Sequence, residues 1–128
     1  MRLLLDTHAF IWWVNGSGRL SRRARRAIDS HTNVIFVSAA SAWEITTKYH
    51  LGRLDEAGAM APDLAGAIAD QDFEELPITV QEAARAGALP GPHRDPFDRM
   101  LIAQALTRNL VLISNETTFD RYGIHRLW

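Results

Sequence analysis

The chain has 128 residues, of which 47% are hydrophobic, with a formal charge of −1 and no cysteine. That length and apolar content suit a single globular domain over residues 1–128, able to bury roughly two thirds of the surface its unfolded chain would expose. The near-neutral charge argues against a generic polyanion binder, the missing cysteine removes disulfides and thiolate metal sites and suits a reducing cytoplasm, and no apolar run reaches membrane-spanning length.

Residues 2 to 5 form a continuously apolar run, as expected of a strand buried on both faces, which breaks at Asp6 and Thr7 into a helix over 7–14. Because Asp6 and His8 interrupt it, the opening MRLLLD is too short for the core of a signal peptide. The loop Asn15-Gly16-Ser17-Gly18 ends the first helix. Leu20, Ala24, Ala27 and Ile28 then recur at a helical period, with Ser21 as N-cap. A second buried strand is expected at Val34–Val37, running through Ser38 and Ala39 into a helix that ends near His50 and is closed by Gly52. Residues 56 to 75 read as one or two helices with an acidic outer face, followed by an extended piece at Leu76-Pro77-Ile78 and a helix over 80–88. The Pro- and Gly-rich loop Leu89 to Pro96 precedes a helix over 96–108 that carries Phe97, Leu101, Ile102, Ala105 and Leu106. Leu110–Ile113 is expected as a third buried strand. A helix over 116–122 ending at Gly123 and an edge strand at His125–Leu127 complete the chain. Strands alternating with helices predict an α/β sandwich around a mainly parallel sheet.

Four acids, Asp6, Glu44, Asp98 and Glu116, lie beyond apolar strands or on the apolar side of helices, where carboxylates are normally avoided. Sites on open parallel sheets collect at the carboxyl ends of the strands. Asp6 follows one strand directly, Glu116 follows another by two residues, and Asp98 shares a helical stripe with Leu101, Ile102 and Ala105. Two carboxylates about 4 Å apart repel by roughly 4 kcal/mol at an effective dielectric near 20, so converging acids stay partly protonated or take a cation. Oxygen ligands suit Mg²⁺ or Mn²⁺. Each acid also has a structural reading. Asp6 suits a helix cap, Asp98 suits an acid in the first turn after an Asp95 cap and Pro96, and Glu44 suits an exposed i,i+4 ion pair with Lys48. Lys48 is the only lysine in the chain. That makes it a candidate to steer a phosphate beside Glu44.

Arg19, Arg22, Arg23, Arg25 and Arg26 put five guanidiniums in eight residues. They form either a solvated helix face or a phosphate-contacting patch, with Arg22 and Arg26 the candidate contacts. Trp12, Trp13 and Trp43 are read as core or interface packing rather than base-stacking platforms, and Phe10, Trp13 and Val14 as a possible groove for a partner helix. His8, His31, His50, His93 and His125 show no metal-ligand spacing and are read as structural or solvent-exposed, His93 being the one near the presumed cleft.

The blocks LLLDTHAFIWW, VSAASAWEITTKYHLGRL, LPI at 76–78, LPGPHRDPFDRMLIAQA and LVLISNETTFDRYGIHRLW resemble, nearly end to end, PIN-domain ribonucleases, specifically the VapC-like toxins of bacterial type II toxin-antitoxin systems. The resemblance implies a PIN-like three-layer sandwich that cleaves RNA with Mg²⁺ or Mn²⁺ through metal-activated water, pairs with a small VapB-like antitoxin and forms a homodimer. It places the catalytic, metal-holding acids at Asp6, Glu44 and Asp98. Thr7 supports the first through its hydroxyl, and Asp95 is a cap or outer-shell residue. The fourth family position, usually Asp, falls on Glu116, which carries its carboxylate about one bond farther out.

Two other readings compete. A receiver-like signalling domain also gathers acids at strand ends, but it needs paired acids after the first strand and a lysine after the last, and this chain has neither. A catalytically silent PIN-fold binding domain is the second.

Overall fold

The computed structural model describes residues 1–91 and 93–128. At its centre is a sheet of five parallel strands in the order β3-β2-β1-β4-β5, formed by β1 (Arg2–Leu5), β2 (Val34–Ser38), β3 (Glu74–Leu76), β4 (Val111–Ile113) and β5 (His125–Leu127). Leu3, Leu4 and Leu5 are fully buried, which is why the central strand shows no polar alternation. Leu5 is in register with Val37 on one side and Ile113 on the other, so these three strands end level with one another.

The side chains of the sheet divide between two apolar layers. On one face Leu3, Leu5, Ile35, Val37 and Ile113 join α1 (Thr7–Val14), α2 (Arg22–Asp29), α3 (Ala39–His50) and α4 (Leu64–Asp70) through Phe10, Ile11, Ala24, Ile45 and Ile68. On the other face Leu4 and Leu112 pack with Leu101 and Ile102 of α6 (Pro96–Arg108) and with Phe119. The α5 helix (Val80–Ala88) packs against α6. Helices on both faces of a parallel sheet give the expected three-layer sandwich.

Short polar side chains start the helices. Asp6, Ser21, Ser38, Asp63, Thr79 and Asp95 each accept a backbone N–H in the first turn of the helix they precede, and Thr79 with Glu82 forms a reciprocal capping box. Asn109, at φ 53, ends α6, and Gly52, at φ 70, follows α3.

Three expectations are corrected. Residues 56 to 75 are not helical throughout: a 3-10 turn at Asp55–Ala57 and α4 are followed by β3, paired in parallel with β2. Its glutamates are exposed and only Leu76 is buried, so this edge strand carries no apolar run for a sequence reading to catch. Residues 117–122 form a 3-10 helix rather than an α-helix. The receiver-like reading also fails on topology. Receiver domains place β1 between β2 and β3, in the order 2-1-3-4-5, whereas here β1 lies between β2 and β4. Among the described residues no helix is long and apolar enough to cross a membrane.

Candidate metal centre

The strand order reverses direction at β1. From there the chain builds outward through β2 and β3, then returns to the opposite side for β4 and β5. Where neighbouring connections leave in opposite directions, a crevice opens at the carboxyl ends of the strands. Asp6 leaves the end of β1 and its backbone N–H donates to the Ile113 carbonyl of β4 at 3.0 Å, so the two chains stay joined to the rim of that crevice.

Asp6 is 6% exposed, and its Oδ1 accepts the Ala9 amide at 2.8 Å. Burial pushes its pKa up from 3.8 to about 6; the Ser114 hydroxyl, the Ala9 amide and His8 oppose that rise and the Glu116 charge adds to it. Its capping role therefore engages one oxygen without neutralising the acid. Across the crevice, Glu44 is buried on α3, with Oε1 accepting the Thr7 hydroxyl at 2.5 Å and Oε2 paired with Lys48. The i,i+4 pair therefore exists, but its acid is buried rather than exposed. Ser41 lies 3.0 Å from the Thr7 hydroxyl and completes the support of that oxygen.

Asp98 shows the convergence of the acids. Its pKa is pushed up to about 8, first by burial and then by the charges of Asp95, Glu116, Glu44 and Asp6. All four acids singled out in the sequence, drawn from separate segments, thus sit in one electrostatic neighbourhood. Asp95 is the α6 cap, its Oδ1 accepting the Phe97 and Asp98 amides at 2.9 and 3.0 Å, and Pro96 follows at the first helical position. Glu116 is exposed and precedes the 3-10 helix, with its N–H donating to Ser114 Oγ at 3.1 Å. Ser114 therefore touches the surroundings of both Asp6 and Glu116.

The geometry adds a residue that the sequence reading set aside. His93, Asp98 and Glu116 each present one ligand atom, and these three atoms lie within 4.8 Å of one another. His93 Nε2 is 3.1 Å from Asp98 Oδ2, yet the ring N–H direction misses that oxygen, leaving Nε2 buried without a hydrogen-bond partner. Spacing gave no warning because this histidine comes from a loop rather than from a regular helical or strand period. Its position two residues before the Asp95 cap was the available signal.

Other candidates lie elsewhere or play different parts. Arg22 and Arg26 are exposed on α2, whose C-terminal end is held by Asn33 donating to the Ala27 carbonyl at 2.8 Å, just ahead of β2. Among the described residues neither arginine is ion-paired with any of the four acids. Lys48 is the cation that feels Glu44, Asp95 and Asp98. Trp12 is buried and Trp13 partly so, but Trp43 is 62% exposed and stacks edge-on with Phe97 at 5.0 Å, which removes it from the core.

The donor set fits a divalent cation. Asp6 and Asp98 have raised proton affinity, the Asp98 and Glu116 carboxylates and the His93 imidazole each bring a ligand atom within 4.8 Å of the others, and the buried His93 Nε2 lacks a hydrogen-bond partner. A cation would offset the burial and the neighbouring negative charges that push the Asp98 pKa up.

A family model described as PIN domain matches residues 3–124. No curated protein sequence matches the chain. Among solved structures, VapBC2 from Rickettsia felis bound to a promoter DNA fragment is similar, with TM-score 0.72 and 15% identity, covering 99% of this chain and 98% of that one. DNA-bound VapBC from Salmonella typhimurium gives TM-score 0.67 and 21% identity over 99% and 97% of the two chains. Mycobacterium tuberculosis VapC20, a Sarcin-Ricin loop cleaving toxin, gives 0.65 and 15% over 95% of each.

Proposed function

The chain belongs to the PIN domain family, and from that premise we propose that it is a cytoplasmic Mg²⁺- or Mn²⁺-dependent endoribonuclease, the toxin of a VapBC-type pair, with RNA as substrate and a VapB-like antitoxin as partner. The observation that carries the reading is the environment of Asp98, where four other carboxylates raise the cost of its charge at a strand-end crevice. Similarity in fold to a Sarcin-Ricin loop cleaving toxin supports RNA as substrate, and similarity to VapBC pairs supports an antitoxin partner.

Asp6, Glu44, Asp98 and Glu116 would hold the cation, with Glu116 either a direct ligand or the group that orients a water beside it. When bound, the cation supplies the Lewis acidity that generates a nucleophile at neutral pH and offsets charge on the phosphoryl group. Thr7 fixes the rotamer of Glu44 by donating to Oε1, and the Ala9 amide fixes Asp6. Lys48, 35% exposed beside Glu44, is placed to attract an incoming phosphate. Asp95 orients Asp98 by closing the first turn of α6. Homodimer formation is part of the same reading.

Cleavage of a mixed RNA pool by nuclease-free protein, with Mg²⁺ and with EDTA, tests the assignment. We expect Asp98→Asn to lose roughly a hundredfold or more of the Mg²⁺-dependent rate. Undiminished cleavage by that variant would sink the catalytic assignment. A metal-binding wild type that leaves RNA intact would favour the silent binding domain.

A further inference from the structure

We propose that His93 is a direct ligand, through Nε2, of the metal ion held by Asp98 and Glu116, making the centre a mixed nitrogen and oxygen site rather than an all-carboxylate one. The inference rests on the metal-centre reading above and extends it to a residue outside the four acids.

Two adjacent ligands of an octahedral ion, each at about 2.1 Å and separated by about 90°, stand about 3.0 Å apart without bonding to one another. His93 Nε2 and Asp98 Oδ2 are 3.1 Å apart, and the imidazole N–H direction does not meet the oxygen. A hydrogen-bonded Asp–His pair has the same separation but points the ring at the carboxylate. Here both atoms are free to aim at a third point, and the Glu116 oxygen lies within 4.8 Å of each.

The His93 ring is also held in place. The backbone N–H of His93 donates to Tyr122 Oη at 2.8 Å, and its carbonyl accepts Arg99 Nη1 at 3.0 Å. Arg99 also donates to the carbonyls of Ala86, Gly87 and Leu89, so it clamps this loop to α5 with four of its five guanidinium donors. The imidazole lies against Phe119 and Tyr122, with ring centroids at 5.5 and 6.4 Å. Gly91 runs at φ +113, and a Cβ there would come 2.9 Å from Tyr122 Oη, so the loop approaches that ring as closely as glycine allows. A histidine side chain 13% exposed, with a buried and unpartnered Nε2, is costly unless something binds the nitrogen.

Imidazole suits Zn²⁺ and its transition-metal neighbours, and Mn²⁺, at the weak end of that series, accepts a nitrogen ligand more readily than Mg²⁺, which holds to oxygen and water. A nitrogen ligand should therefore move this centre toward Mn²⁺ relative to an all-oxygen site.

Pulsed electron paramagnetic resonance of wild-type protein loaded with one equivalent of Mn²⁺ reads the bond without any activity measurement. We expect ¹⁴N modulation from one directly bound imidazole, lost in His93→Gln, with Mn²⁺ affinity falling about tenfold or more in that variant and Mg²⁺ affinity changing far less. Bound Mn²⁺ without ¹⁴N modulation in the wild type, or the same modulation in His93→Gln, would overturn the ligand assignment and leave the carboxylate centre standing. Failure of Mn²⁺ to bind, or binding unaffected by Asp98→Asn, would bring down the metal-centre reading and this inference with it. Because the first comparison uses unaltered protein, it does not depend on the variant folding.

Discussion

Two regions of this molecule bury carboxylates and treat them in opposite ways. Glu82 on α5 is 1% exposed, and burial alone would raise its pKa; instead the Arg108 guanidinium at 2.6 Å, the Thr79 amide and Gln104 hold it below the ordinary carboxylate range. Gln104 in turn accepts the Ser38 hydroxyl at 2.6 Å and donates to the Pro77 carbonyl, so the network joins α5, α6 and the end of β2. At the crevice, by contrast, Asp6 and Asp98 have acids for company and are pushed up to about 6 and about 8. One buried acid is satisfied by the chain itself, while the others are left for something the chain does not contain. The difference marks Asp6 and Asp98 as candidates for function where burial alone would not separate them from Glu82.

The largest expected effect on stability comes from pH, because the two regions respond with opposite sign. Asp6 and Asp98 have folded pKa values above their ordinary 3.8, so their favourable contribution is complete below that value and is lost as pH rises through about 6 and about 8. Glu82 has a lowered value, so its contribution is complete above 4.5 and fades only as pH falls below it. Urea unfolding of metal-free protein should therefore show stability declining from pH 5 to pH 9. A flat profile across that range would break the contrast between the regions.

Adding Mn²⁺ should reverse that decline at pH 8, by about 2.7 kcal/mol at a hundredfold excess over Kd, and do little at pH 5, where protons already occupy the site. Equal stabilisation at both pH values would place the ion elsewhere.

Removing charge sharpens the comparison. Asp98→Asn should stabilise the metal-free protein at pH 8 by roughly 1–3 kcal/mol while abolishing the response to metal. Glu82→Gln should cost about 2 kcal/mol, because Arg108 loses its charged partner, and leave RNA cleavage per folded molecule unchanged. Reversal of either sign, read from denaturant midpoints, would mean that the roles of the two regions have been exchanged.

The smallest effect is expected at the loop before His93. Gly91→Ala forces a methyl toward Tyr122 in a backbone conformation that alanine resists, and should cost about 1 kcal/mol. If the loop positions a ligand, Mn²⁺ affinity in calorimetric titration should fall with it.

Much of this was legible in the chain. The LLL run of β1, the Ser21 and Asp95 caps, Pro96 and the inward stripe of α6 follow from local rules that the structure obeys. β3 escaped because two of its three residues are exposed glutamates, and an edge strand of that length takes its identity from its neighbour β2. Trp43 escaped because a large aromatic between alanine and glutamate has no local reason to face solvent. His93 escaped because ligand spacing in sequence applies to ligands on one helix or hairpin, and this one approaches from a loop.

The sequence by itself determined which acids were out of place, because a carboxylate beside an apolar strand is a local anomaly visible without coordinates. Only the tertiary structure decided that the chain reverses at β1, that Asp6 and Ser114 therefore flank one crevice, and that a histidine clamped by Arg99 and Tyr122 turns an unpartnered nitrogen toward Asp98 and Glu116. Strand order and loop docking depend on contacts between residues far apart in the chain, whereas propensity, capping and periodicity report only near neighbours.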